Sequence, residues 1–169
     1  EVYSMTYIKF FIKLFIFMLL RPLKILIPKK NVIIFSSYSP YKYGGGPKYL
    51  FEKMSRNKKF KVYWATESGQ IKEYLRKKNL LYISKSNLFN LIKTTMFAKI
   101  IVSSGTAFFD YCYLISTDKK VIKISTMHGS GPKLALNKYS KTPDVIRAVK
   151  NLNKHTYVSF CSKYAETMI

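Results

Sequence analysis

In the segment VIKISTMHGSGPKLAL (121–136) an apolar run passes directly into His128-Gly129-Ser130-Gly131-Pro132-Lys133. A histidine at the end of a strand projects into the crevice where parallel sheets bind ligands. An unperturbed imidazole titrates near ~6.5, so it can take a proton from a hydroxyl at neutral pH. Gly129 and Gly131 allow a tight turn and close backbone approach, and Lys133 with the loop amides could hold a phosphate. A histidine that merely closes the loop fits the same residues, and spacing alone does not separate the two readings. The loop lacks the G-x-x-x-x-G-K-[ST] spacing of a nucleoside triphosphate loop.

The second stretch with chemical potential is YKYGGGPKYLFEKM (41–54), in which three glycines precede a Pro-led helix start. Backbone amides at such a helix start can cradle a phosphate, although Pro47 removes one of them. A plain flexible turn is nearly as good an account. Small polar residues also end several strand-like runs: Ser36-Ser37, Thr66-Glu67 and Ser103-Ser104-Gly105. Glu67 and Asp110 are scarce acids that could orient His128 or bind a hydroxyl, whereas His155 reads as structural or solvent-exposed.

What must position these residues is an alternation of strands and helices. Strand-like runs fall at 31–37, 60–67, 80–84, 99–105, 121–129 and 155–162, and helical patterns at 47–57, 71–79 and 86–98, the last capped by Ser86 or Asn87. Strands that each lead into a helix predict an α/β fold, a Rossmann-like parallel sheet with helices on both faces.

The 169 residues suffice for one domain, and 48% hydrophobic with 16% aromatic residues exclude a disordered chain. Thirty Lys and Arg against eight Asp and Glu give a net charge of +22, which attracts polyanions or anionic lipid. Cys112 and Cys161 have neither disulfide nor zinc spacing, so no metal and no cofactor is expected. In residues 7–27, Lys9, Lys13, Arg21 and Lys24 interrupt the apolar run. On a helix of about 100° per residue they fall within about 120° of one another. The segment 1–28 is therefore expected to be an amphipathic basic helix on an anionic membrane surface, and 29–169 the folded domain.

Taken in order, KKNVIIFSS, PKYLFEKM, FKVYWATES, KIIVSSG and a strand ending in HGSGPK resemble the N-terminal half of the CDP-glycerol glycerophosphotransferases over about residues 29 to 165. The resemblance implies the N-terminal, acceptor-side domain of a GT-B fold, peripheral to the cytoplasmic face of a bacterial membrane. It implies a CDP-alditol donor held by a C-terminal domain that this chain lacks, and a lipid-linked or polyanionic acceptor of the teichoic acid or capsule type. On this reading the chain alone turns over little substrate. His128 is then the base that activates the acceptor hydroxyl, and the substrate-binding set is Gly129, Ser130, Lys133, Ser36, Ser37, Lys48, Ser103 and Ser104. Met127 stands where the family has Trp, Ser130-Gly131 lengthens the loop, and Gly44-Gly45-Gly46 replaces a Ser-Asp-Asn-like run. Two rivals are a basic membrane-surface or nucleic-acid-binding module without catalysis and a GT-B nucleotide-sugar glycosyltransferase. No RNA-binding signature is present, and nucleic acid is not an expected partner.

Overall fold

The computed structural model describes residues 26–104 and 120–126, and the backbone of Tyr157–Val158. The expected basic helix in 1–28 lies almost wholly outside these residues, as do Cys112, Cys161, Asp110 and His155. Six parallel strands form one sheet: β1 (Val32–Ser36), β2 (Lys61–Ala65), β3 (Leu81–Ile83), β4 (Ala98–Ser103), β5 (Ile122–Ser125) and β6 (Tyr157–Val158). Their order is β3-β2-β1-β4-β5-β6. Helices α1 (Gly46–Met54), α2 (Gly69–Lys77) and α3 (Leu88–Phe97) follow β1, β2 and β3. The predicted Rossmann-like parallel sheet is what forms.

The composition of β1 explains its central place. Every residue of VIIFS is buried, as a strand covered on both faces requires. Period-2 alternation sends Val32 and Ile34 into one core with Ala65, Ile83, Ile101 and Leu91 of α3. It sends Ile33 and Phe35 into the other, with Val62, Trp64, Val102, Phe51 of α1 and Leu75 of α2. Helices therefore cover both faces.

The second core is organised by aromatic edges. Phe51 stands edge-on to Phe35 and Trp64, with centroids 5.8 and 5.4 Å away. Tyr43, from the loop after β1, wedges between elements, 4.7 Å from Trp64 and 5.5 Å from Tyr74 of α2. Its hydroxyl donates to Glu52 Oε1 at 2.9 Å. That pins the loop two residues before Gly45. Burial first, then the Glu52 hydrogen bond, push the Tyr43 phenol pKa up, so the hydroxyl stays a neutral donor.

Helix starts differ from the sequence expectation where side chains compete for caps. Helix α2 begins at Gly69, not 71, because Ser68 Oγ accepts from the Ile71 N–H. At α3 the cap is Asn87, whose Oδ1 accepts from the Asn90 N–H at 3.0 Å. Ser86 is taken up by Ser84 and Lys72.

Tyr43→Phe removes a half-buried hydrogen bond and should cost about 1 kcal/mol in urea unfolding at neutral pH. The raised folded pKa means that Tyr43 ionises first in the unfolded chain, near its ordinary value of 10.0. Its stabilisation is present below that pH and lost as pH rises beyond it. The variant's stability should therefore fall less than the wild type's on going from neutral pH to above about 10.

Candidate functional site

Strand order reverses beside β1: β2 and β3 extend to one side, β4 and β5 to the other. Ligands of open parallel sheets bind beyond the strand ends at such a reversal. Four of the expected residues meet there. Ser36 pairs with Ser103 across β1 and β4, and Ser103 with Ser125 across β4 and β5. The three serines form a row on one face of the sheet, 3%, 1% and 0% exposed, and Ser37 and Ser104 follow at 4% and 1%. Ser36 Oγ is buried with no hydrogen-bond partner among the described residues.

The triple-glycine loop closes over these strand ends. Gly45 has φ 73° and ψ −173°, a backbone region that only glycine occupies without strain. A Cβ on Gly45 would lie 3.8 Å from Ser104 Oγ, and one on Gly46 would lie 3.4 Å from Thr126 Oγ1. Thr126, just past β5, donates to the Ser103 carbonyl from its N–H at 2.8 Å and from its Oγ1 at 3.3 Å. Backbone from β1 and side chains from β4 and β5 thus converge in one cradle. Its named side chains are hydroxyls, and the N-terminus of α1 contributes partial positive charge with no acid in the first turn. Pro47 has no N–H, and the Lys48 N–H donates to the Gly45 carbonyl, which leaves the amides of Gly45 and Gly46 at this end. Hydroxyls, glycine amides and a helix N-terminus suit a phosphate or phosphodiester oxygen.

Not every expected residue joins the cradle. The Lys48 ammonium lies 5.3 Å from the Tyr43 ring centroid and 5.9 Å from that of Tyr49, a pair of cation–π contacts. Glu67 does bind a hydroxyl, but one of the protein's own: Ser84 Oγ donates to it at 2.9 Å and the Lys85 N–H at 2.6 Å. Lys72 Nζ is 3.9 Å away. At the end of β2, with β1 and β4 between it and β5, Glu67 is a tie between loops. His128, Gly129, Ser130 and Lys133 lie outside the described residues, beginning two positions after Thr126. Among the described residues no group of three or more His, Cys, Asp or Glu could hold a metal ion.

The sequence reading missed Thr126 and Ser125 as parts of the site, and weighed the glycines without pairing them to Ser104. The signal for Thr126 was present in the strand-end position of Ser125-Thr126, next to the more conspicuous His128.

An open parallel sheet with buried serines beneath a glycine loop at its strand reversal is a Rossmann-like domain. Over residues 18–169 the chain matches the family model described as CDP-glycerol:poly(glycerophosphate) glycerophosphotransferase. It belongs to that family, a family of transferases that use CDP-glycerol in polymer synthesis. Neither a curated protein nor a solved structure matches it.

Gly45→Ala should lose about 1–3 kcal/mol in urea unfolding, the usual cost of holding a non-glycine residue in this backbone region. Gly44→Ala, where an added Cβ meets nothing within 4 Å, is the matched control and should stay within about 0.5 kcal/mol of wild type.

Proposed function

We propose that the chain is the acceptor-side, GT-B-type domain of a transferase that moves glycerol phosphate, or a related alditol phosphate, from a CDP-linked donor to a lipid-linked or polymeric acceptor. The enzyme works at the cytoplasmic face of the membrane, held there peripherally, with 1–28 as its basic interfacial helix and 29–169 as the folded domain. A second domain holds the CDP portion of the donor.

In this mechanism the His128 imidazole takes the proton from the acceptor hydroxyl. The hydroxyl oxygen attacks the β-phosphorus of the donor, the bond to the bridging oxygen breaks, and CMP leaves with that oxygen. Phosphoryl transfer of this kind depends on positioning and charge stabilisation. Lys133, the amides around Gly129 and Ser130, and the cradle of Gly45, Gly46, Ser104 and Thr126 supply donors for phosphate oxygens. A net charge of +22 suits a polyanionic acceptor.

One observation supports this reading above the others. The chain leading into His128 is tied to the end of β4 through Thr126 and Ser103, while Gly46 covers Thr126 from the β1 side. Thr126, two positions before His128 in sequence, is therefore the described residue that supports a role for the histidine loop beside the serines and glycines.

The test is CMP release and acceptor labelling from CDP-glycerol in the full natural protein. His128→Ala should lower kcat by about 10²–10⁴-fold, the usual worth of a positioned general base, while CDP-glycerol binding by calorimetry stays near wild type. Wild-type transfer by the variant would remove His128 from the mechanism.

A further inference from the structure

The three helices α1, α2 and α3 each follow a strand of the parallel sheet, so their N-termini lie at the same edge as the cradle. The first turn of a helix normally favours Asp or Glu, which offset the positive end of its dipole. None of α1, α2 or α3 has an acid there. On the β3–β2–β1 half of this edge, three loops are joined. Thr66 Oγ1 and the Glu67 N–H donate to the Pro40 carbonyl at 2.9 and 3.0 Å. The Glu67 carboxylate binds Ser84 and Lys85. The loops after β1, β2 and β3 thus form one surface, with Glu67, the acid within it, committed to holding them together.

Large apolar and aromatic side chains stand out from that surface. Phe89 and Leu88, in the first turn of α3, are 79% and 48% exposed, and Tyr41 and Tyr38 flank Pro40 at 65% and 44%. Exposed lysines are interleaved with them: Lys42 next to Tyr41, Lys85 before the α3 cap, and Lys93 one turn beyond Phe89. Phenyl and phenol rings flanked by lysines, above helix ends with no acid, match the interface of a bilayer in which headgroups are anionic. Leu88 and Phe89 offer exposed apolar side chains to the acyl boundary, while the lysine stems reach the phosphates.

We infer that this rim, formed by Tyr38, Tyr41, Leu88 and Phe89 with Lys42 and Lys85, is a docking surface for an anionic bilayer, separate from residues 1–28. It rests on the membrane-associated reading proposed above and deepens it. With strands about 4.8 Å apart, the end of β3 is three spacings, about 14 Å, from the end of β4. Docking here sets the cradle of Gly45, Gly46 and Ser104 beside the membrane surface, where a lipid-linked acceptor presents its hydroxyl.

The experiment uses the full chain with vesicles of phosphatidylcholine, with and without phosphatidylglycerol. Phe89→Trp places an indole at this exposed position, against the constant background of Trp64, which is 0% exposed. Its emission should shift to the blue with phosphatidylglycerol vesicles and not with phosphatidylcholine alone. Leu88→Ser combined with Phe89→Ser changes exposed positions only and should weaken sedimentation with anionic vesicles by at least about tenfold, given the apolar area withdrawn. Unchanged emission with anionic vesicles, or sedimentation of the double variant equal to wild type, overturns the inference. So does an emission shift caused by a single-stranded oligonucleotide or by protein concentration alone, which would assign the rim to nucleic acid or to a second copy. Transfer from CDP-glycerol to a water-soluble acceptor should survive the double variant. The vesicle readouts therefore stand whether or not the transfer mechanism does.

Discussion

A parallel sheet buried on both faces places every strand end and every following helix start on one side of the molecule. In this protein β1 is the strand that imposes the constraint. Its side chains alternate between two cores, with Ile34 packed beneath α3 and Phe35 beneath α1, so neither face can be given up without opening the other. The chain must leave each strand at the same edge, because a parallel neighbour can be reached only by crossing back over a face. That edge is where open parallel sheets generally bind ligands.

Within the edge, two devices divide the work. Strand reversal beside β1 sets Ser36 against Ser103, and these two with Ser104 lie buried at the strand ends. On the other half, Glu67 draws three loops together. The Tyr43 wedge serves both halves. It fixes the loop after β1 against Trp64 and Glu52, and the same loop carries the Pro40 carbonyl to Thr66 and Glu67 and Gly45 toward Ser104. One aromatic anchor therefore sets the relation between the cradle and the exposed rim.

The scarcity of acids gives the edge its electrostatic character. In a less basic protein, Asp or Glu in the first helical turns would offset the positive helix ends. Here those positions hold Lys48, Leu88 and Phe89 among others, and the carboxylate of Glu67 is occupied by Ser84 and Lys85. An anionic group brought to this edge would meet no competing carboxylate in the first turns of the three described helices. The surplus of positive charge is a property of where the acids are missing as much as of how many lysines there are.

The sequence by itself determined the class of fold and the order of its parts. Short apolar, β-branched runs such as NVIIF and KIIVSS, each ending in small polar residues, read as strands, and the helical stretches between them call for parallel crossovers. The small residues that end those strands, Ser36-Ser37 and Ser103-Ser104, were legible as strand-end residues for the same reason. Tertiary structure alone decided which of them meet. Pairing of Ser36 with Ser103 and of Ser103 with Ser125 depends on strand order, which local pattern does not encode. Glu67, isolated in the sequence, became a tie between loops because β2 and β3 are neighbours. That Lys48, a candidate substrate-binding residue, lies over the rings of Tyr43 and Tyr49 was likewise visible only in the packed chain. Periodicity reports which face a residue occupies; only the packed chain reports what lies opposite it.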